Sequence, residues 1–256
     1  MDYQQALILA IVQGMTEWLP ISSSGHLAII QQLFNLQTPV SFDVILHFGT
    51  FLAVSLFMRK ELLAISKAIL KQDFKSKEAK LAFYLLIATI PVGVVGVLLK
   101  KPVEALFNNM PAVTAGLAFT GVLLFASERQ EKPGKLDTKK SLAVGIMQAV
   151  SIIPGISRSG TTISTGLISG VNKEDAARFS FLLSIPAVLG AVAVDAKDLM
   201  NSDISLSITV LATAVSAVVG YLSLKLLWKT ILERRFHLFA YYCWALALTL
   251  VSIQIL

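Results

Sequence analysis

Charge is what this sequence has least of. Only 15% of its 256 residues are Asp, Glu, Lys or Arg, 55% are hydrophobic, and the mean hydropathy is +0.72. A soluble domain carries about 25% charged residues, so a chain this poor in charge cannot cover a water-facing surface in the usual way. Cysteine is nearly missing too. Cys243 stands alone, which excludes an internal disulfide and any cysteine-based metal site. It lies in an apolar run and reads as a small packing residue. There are only three histidines, His26, His47 and His237. The start MDYQQ lacks a basic n-region, and no small-residue cleavage site follows Ala6–Val12, so the first hydrophobic segment is expected to stay in the mature protein.

What fills the chain instead is a series of apolar runs. A helix needs roughly 20 apolar residues to cross the hydrocarbon core, with about 17 as the lower limit. Six stretches meet or approach this: Phe42–Met58, Leu81–Leu99, Ala112–Ser127, Arg178–Val194, Ile204–Trp228 and Leu238–Leu256. Four further pieces, near residues 5–19, 26–36, 141–153 and 160–171, are too short. They come as two pairs, each joined by a Gly/Ser/Pro-rich break. Irregular backbone at membrane depth is tolerated only where protein buries it or it lines a wet cavity. The expected architecture is therefore an all-α polytopic membrane protein with six transmembrane helices and two re-entrant helical hairpins.

The basic residues orient this plan, because cytoplasmic loops are enriched in Lys and Arg. Arg59–Lys80 holds seven and Arg129–Lys140 five. Lys173 and Arg178 add two, and Lys225, Lys229, Arg234 and Arg235 four. Only Lys100, Lys101 and Lys197 fall on the other side, so the count is 18 against 3, with both chain ends outside. The net charge of +6 is thus topological bias, and nucleic acid is not an expected partner.

With that orientation the first hairpin enters from outside and the second from the cytoplasm, each followed by three spans. Ser22-Ser23-Ser24-Gly25-His26 mirrors Ser157-Arg158-Ser159-Gly160-Thr161, after Pro20 and Pro154, and Gln13 and Gln148 open the two motifs. Phe42, Leu46 and Leu52 line up with Phe179, Leu183 and Leu189. The chain reads as one membrane domain, 1–256, built from an inverted repeat: residues 1–127, a cytoplasmic linker 128–140 with Pro133-Gly134, and residues 141–256. Such repeats place binding sites near the bilayer midplane between broken helices.

Few ionisable residues fall at membrane depth, and those that do must pair or serve a function. Glu17, His26 and Arg158 sit in or beside the breaks, where inverted packing would gather them in one polar cavity. The planar fork of Arg158 suits phosphate oxygens, and the hydroxyls, glycines and helix start around it suit an anion. His26 could be nucleophile, general acid or a structural cap. Glu17 could activate water, orient His26, or hold a divalent cation bound to a diphosphate, since magnesium typically uses one or two carboxylates plus substrate phosphates. His47, inside a span, is expected to make an interhelical hydrogen bond. His237, beside Arg234 and Arg235, reads as an interfacial anchor. Trp18 would line a lipid-tail groove or anchor the break, Trp228 fits an aromatic belt, and Trp244 a packing position.

At this point the residues resemble a known family. Gln13-Gly14-Met15-Thr16-Glu17-Trp18-Leu19-Pro20-Ile21-Ser22-Ser23-Ser24-Gly25-His26 resembles the first signature of the undecaprenyl-diphosphatase, or bacitracin-resistance, family. Pro154-Gly155-Ile156-Ser157-Arg158-Ser159-Gly160-Thr161 resembles its second. The resemblance implies an integral enzyme of the bacterial cytoplasmic (inner) membrane. Such an enzyme hydrolyses undecaprenyl diphosphate to the monophosphate and inorganic phosphate at the outer face, recycling the cell-wall lipid carrier. The family's catalytic residues carry over to Glu17, Ser23, His26 and Arg158, its second-motif serine to Ser157 and its threonine to Thr162. Gln13, Ser22, Ser24, Gly25, Ser159, Gly160 and Thr161 complete the expected phosphate-binding set.

A divalent cation, Mg²⁺ or Ca²⁺, is expected at Glu17. Where some members have a second glutamate this chain has Gln13, which brings no charge to a metal. The expected partners are a polyprenyl diphosphate lipid and membrane lipids, with a homodimer left open. A lipid-phosphate flippase or secondary transporter shares the architecture, but does not call for a Glu, Ser and His cluster facing an arginine. A rhomboid-like protease has no use for Arg158. A type 2 phosphatidic-acid phosphatase needs a histidine soon after that arginine, and residues 159–170 contain none.

Overall fold

Proline and serine set the first boundaries. In the computed structural model, which describes residues 2–34, 36, 40–128, 134–200, 204–233 and 235–255, α1 (Tyr3–Trp18) starts on an Asp2–Gln5 capping box. It stops two residues before Pro20, whose ring disfavours a helical predecessor. The chain resumes as α2 (Ser23–Leu33), with the Ser22 side chain accepting from the Gly25 N–H. The second half repeats this. α8 (Thr138–Val150) ends ahead of Pro154, and α9 (Arg158–Ile168) resumes with Ser157 as its N-cap, accepting from the Gly160 N–H.

The remaining helices are long and apolar. They are α3 (Val40–Phe57), α5 (Lys77–Leu98), α7 (Met110–Ser127), α10 (Lys173–Met200), α11 (Leu206–Leu232) and α12 (Leu238–Ile255), one on each expected span. Two short helices were not foreseen. α4 (Arg59–Leu70) leaves α3 at a 75° bend after Met58, where Arg59, Lys60 and Glu61 begin an amphipathic stretch. α6 (Lys100–Leu106) links α5 to α7. The chain turns after α4 only as far as Ser76, which caps α5 by accepting from the Ala79 N–H. Of the expected linker, residues 129–133 lie outside the described set, as do Arg234 and both terminal residues. No strand occurs among the described residues, apart from an isolated bridge between Gly134 and Val171.

The chain is a multi-pass helical membrane protein. Among the described residues four helices are long and apolar enough to cross a bilayer, or five where the bent α3–α4 pair is taken as one span. Only 6% of the apolar window of α5 is fully buried within the protein, and Phe83, Leu86, Ile90, Val94 and Val97 stand exposed along it. In a monomeric water-soluble protein an apolar surface of this extent would be exceptional.

The packing crosses between the halves. α1 rests mainly on α11, and α8 on α5, so the first arm of each broken pair leans on a helix from the other half. α3 meets α10, and α7 meets α12. Close approach of α1 and α3 to α11 depends on small residues. A Cβ on Gly14 would lie 2.8 Å from Val219 Cβ, and one on Gly49 2.6 Å from the Thr213 carbonyl oxygen. Beneath the breaks lies the main core, built around Trp18, Phe181, Leu182, Leu224 and Leu227. It fixes the floor on which the polar residues stand.

Candidate active site

The two breaks meet tip to tip. A Cβ on Gly25 would lie 3.3 Å from Gly155 Cα, and one on Gly160 would lie 3.2 Å from Pro20 Cβ. Gly155 is required twice over: its φ is +88°, and a Cβ there would stand 2.1 Å from the Val113 carbonyl oxygen. The backbone of the second break is tied to α7 through Thr120, whose hydroxyl donates to the Gly155 carbonyl at 3.2 Å and accepts from the Ser157 N–H at 3.0 Å. The first is tied to α12, where the Cys243 thiol reaches the Pro20 carbonyl at 3.6 Å. Ser22 adopts a left-handed backbone, φ 68°, a strain of roughly 1–3 kcal/mol for a non-glycine residue.

This interlocking brings Glu17 and Arg158 together. Glu17 is buried, and its two oxygens have different partners. Oε1 accepts from Arg158 Nη2 at 2.6 Å, and Oε2 accepts from the Ser23 hydroxyl at 2.6 Å and Gln13 Nε2 at 3.0 Å. Gln13 reaches it because residues four apart share a helix face. Arg158 is also held from below, its guanidinium carbon 5.1 Å from the Trp18 ring centroid, with Trp18 packed edge-on against Phe181. Trp18 therefore anchors the break. Among the described residues, Arg158 Nη1, Gln13 Oε1 and Trp18 Nε1 of this cluster stay buried without a protein partner. A preset guanidinium with an unused nitrogen beside a serine hydroxyl has the chemistry to receive an anion next to a nucleophile.

The other expected residues divide by role. Ser22 and Ser157 cap their helices and approach Ser24 and Ser159, at 3.2 and 3.3 Å between hydroxyl oxygens. Ser159 also donates to the Leu19 carbonyl at 3.4 Å. Thr161 donates to the Ser157 carbonyl at 2.6 Å. Thr162 donates to the Arg158 carbonyl and meets the Ser180 hydroxyl at 2.6 Å. His26 makes its contacts elsewhere, with the Ser22 carbonyl oxygen and with Tyr242.

His47 is the residue the sequence undervalued. It does make an interhelical contact, but the partner is Glu17, whose Oε2 lies 3.5 Å from His47 Nε2. Its Nδ1 is 2.7 Å from the Asp43 carbonyl oxygen. That carbonyl only accepts, so Nδ1 carries a proton and the other nitrogen is turned to the carboxylate. The only signal in the sequence was an imidazole inside an otherwise apolar run.

Fold and cluster together define a class: a polytopic helical membrane protein with a buried carboxylate–hydroxyl–guanidinium centre where two broken helices meet. The chain belongs to the family described as Bacitracin resistance protein BacA, which it matches over residues 6–249. It is 43% identical over 262 residues to an undecaprenyl-diphosphatase of Methanobrevibacter smithii, covering 95% of each chain. It is 39% identical over 273 residues to one of Methanosphaera stadtmanae, covering 100% of this chain and 99% of that one. A third, of Korarchaeum cryptofilum, is 39% identical over 266 residues, with 99% and 100% covered.

Proposed function

We propose that this protein hydrolyses undecaprenyl diphosphate to undecaprenyl phosphate and inorganic phosphate, returning the lipid carrier of cell-wall synthesis to use. Family membership and the names of its relatives support the activity. The observation that carries the site is the Glu17 carboxylate, shared between Arg158 and Ser23, with Arg158 Nη1 left for a ligand.

The chemistry follows from those contacts. Ser23 gives its proton to Glu17 Oε2 as its oxygen bonds to the terminal phosphorus. The phosphoanhydride bond breaks, and undecaprenyl phosphate leaves with the bridging oxygen and the proton from Glu17, which is a carboxylate again. Water, losing a proton to Glu17, then attacks the phosphoserine, and inorganic phosphate departs as the serine oxygen regains a proton. Arg158 offsets charge on the transferred group, since phosphoryl transfer is catalysed mainly by positioning and electrostatics. The hairpin serines and glycines, Ser22, Ser24, Gly25, Ser157, Ser159 and Gly160, shape the anion pocket, with Thr161 and Thr162 holding its second wall. A divalent cation, Mg²⁺ or Ca²⁺, fits the oxygen donors present. Glu17 and the unpartnered Gln13 Oε1 would hold it together with substrate phosphates, and it would supply further charge neutralisation.

In the membrane the two broken pairs, α1–α2 and α8–α9, are re-entrant hairpins among six spans. Each hairpin and the three spans after it form one half of an inverted repeat, 1–127 and 141–256. Both termini lie outside the cytoplasmic membrane, and the site opens to its outer face. The crossed packing of α1 on α11 and α8 on α5 supports this arrangement.

The deciding experiment is phosphate release from undecaprenyl diphosphate by purified protein in detergent, with and without Mg²⁺ or Ca²⁺, beside Arg158→Ala and Glu17→Gln. Release by wild type alone is the expected result. Wild type that liberates no phosphate but moves the lipid across vesicles would make the protein a flippase. Equal rates in all three proteins would reject the site.

A further inference from the structure

His26 and Tyr242 form a pair between α2 and α12 that the cluster around Glu17 does not use. Their rings lie 9° from parallel with centroids 5.8 Å apart, and the Tyr242 hydroxyl oxygen is 2.7 Å from His26 Nε2. His26 Nδ1 is 2.8 Å from the Ser22 carbonyl oxygen. A carbonyl only accepts, so Nδ1 carries the proton. In the neutral ring Nε2 is then a bare acceptor, and the phenol is the group that donates to it. Tyr242 thus fixes the plane of the imidazole by stacking and covers its one nucleophilic lone pair.

The placement of the pair gives this a use. Both residues line an apolar groove of about 510 Å³ between α1, α2 and α12, with Met15, Leu19, Ile30 and Phe239 among its walls. Cavities of roughly 300–1,000 Å³ hold drug-sized ligands, so the groove has room for the first few isoprene units of a long chain but not the whole of it. His26 stands in the first turn of α2, three residues after Ser23. The polar corner of the groove therefore adjoins the cluster at the start of one short helix.

We infer that Tyr242 is a positioning residue for the proposed hydrolysis: it locks His26 at the corner between groove and cluster and withholds Nε2 from attack, leaving Ser23 as the nucleophile. The inference rests on the function proposed above. Tyr242→Phe keeps the stack and the groove wall and removes only the hydroxyl. Its kcat for the lipid diphosphate is expected to fall about three- to tenfold, the weight of one hydrogen bond, with KM changed less than about twofold. Tyr242→Ala, which also opens the groove, is expected to raise KM as well.

A second readout does not depend on turnover. Diethyl pyrocarbonate acylates an uncovered imidazole nitrogen, and peptide mass spectrometry locates the adduct. His26 in Tyr242→Phe is expected to react several-fold faster than in wild type. Wild-type kcat in Tyr242→Phe, or an unchanged rate of His26 acylation, would overturn the inference. If wild type releases no phosphate, the proposed function fails by itself, and the acylation rates still decide whether Tyr242 covers His26.

Discussion

Arg158 Nη2 lies 2.6 Å from Glu17 Oε1, a contact across 141 positions of sequence that joins the two helix breaks. Glu17 is buried and Arg158 half-buried, and each is the other's main compensation. Removing one partner of a buried pair typically costs about 3–5 kcal/mol, because it strands a charge, whereas replacing both can be nearly neutral. Arg158→Ala should therefore lower both activity and melting temperature, and Glu17→Gln/Arg158→Ala should melt higher than Arg158→Ala alone. Scanning fluorimetry on the two variants and wild type checks this, and a double variant that melts lowest would refute it. Phosphate release by Arg158→Ala should fall about 10²- to 10³-fold, the cost of losing one preset donor to developing charge.

The proposed covalent step on Ser23 would leave a trace. Brief reaction with substrate labelled in its terminal phosphate, followed by acid quench, should place an acid-stable label on the peptide that contains Ser23. Ser23→Ala should carry none and should lose activity by more than about 10²-fold. A label that appears only after an alkaline quench, is lost in acid and is retained in Ser23→Ala would instead make His26 the nucleophile.

His47 is expected to support Glu17 without being essential. A polar contact between helices in a membrane is worth about 0.6 kcal/mol on average and about 1.7 at most, so His47→Leu should reduce kcat about three- to twentyfold. Steady-state phosphate release measures it. Loss as complete as in Glu17→Gln would mean that His47 takes part directly in the reaction.

Gly155 tests the interlock of the breaks. With φ at +88° and the Val113 carbonyl 2.1 Å from the position of a Cβ, Gly155→Ala should destabilise by more than about 1 kcal/mol. A fall in melting temperature, with little folded protein recovered, is the expected outcome. A melting temperature equal to wild type would show that α7 and the second break can separate at no cost.

Much of this was legible because membranes punish exceptions. Pro20 and Pro154 fall within the breaks, although Pro91 and Pro186 are carried inside α5 and α10, and the serines three residues before Gly25 and Gly160 start new helices, so proline and serine together marked both breaks. Glu17 and Arg158 stood out because charge is scarce among apolar runs. The residues that escaped notice did so for physical reasons. His47 acquires its meaning only when α3 leans beside α1. Tyr242 sits next to Tyr241 in an aromatic-rich run, where nothing local separates a belt residue from one aimed at His26. The bend after Met58 was hidden because the apolar run of α3 passes straight into an amphipathic helix with no glycine or proline to mark it. Thr161 and Thr162 look like the serines beside them, yet their hydroxyls serve the backbone of α9 and Ser180.

The crossed packing of α1 on α11 also sets a timetable. Glu17 is among the first residues synthesised, while α11 begins only at Leu206. At about 5–20 residues per second, the first broken helix waits on the order of ten seconds or more for its seat. Arg158 is made 141 residues after Glu17, so for about 7 seconds or more the carboxylate has no partner from the second half. The seat on α11 comes later still, so the first break is made early and supported late.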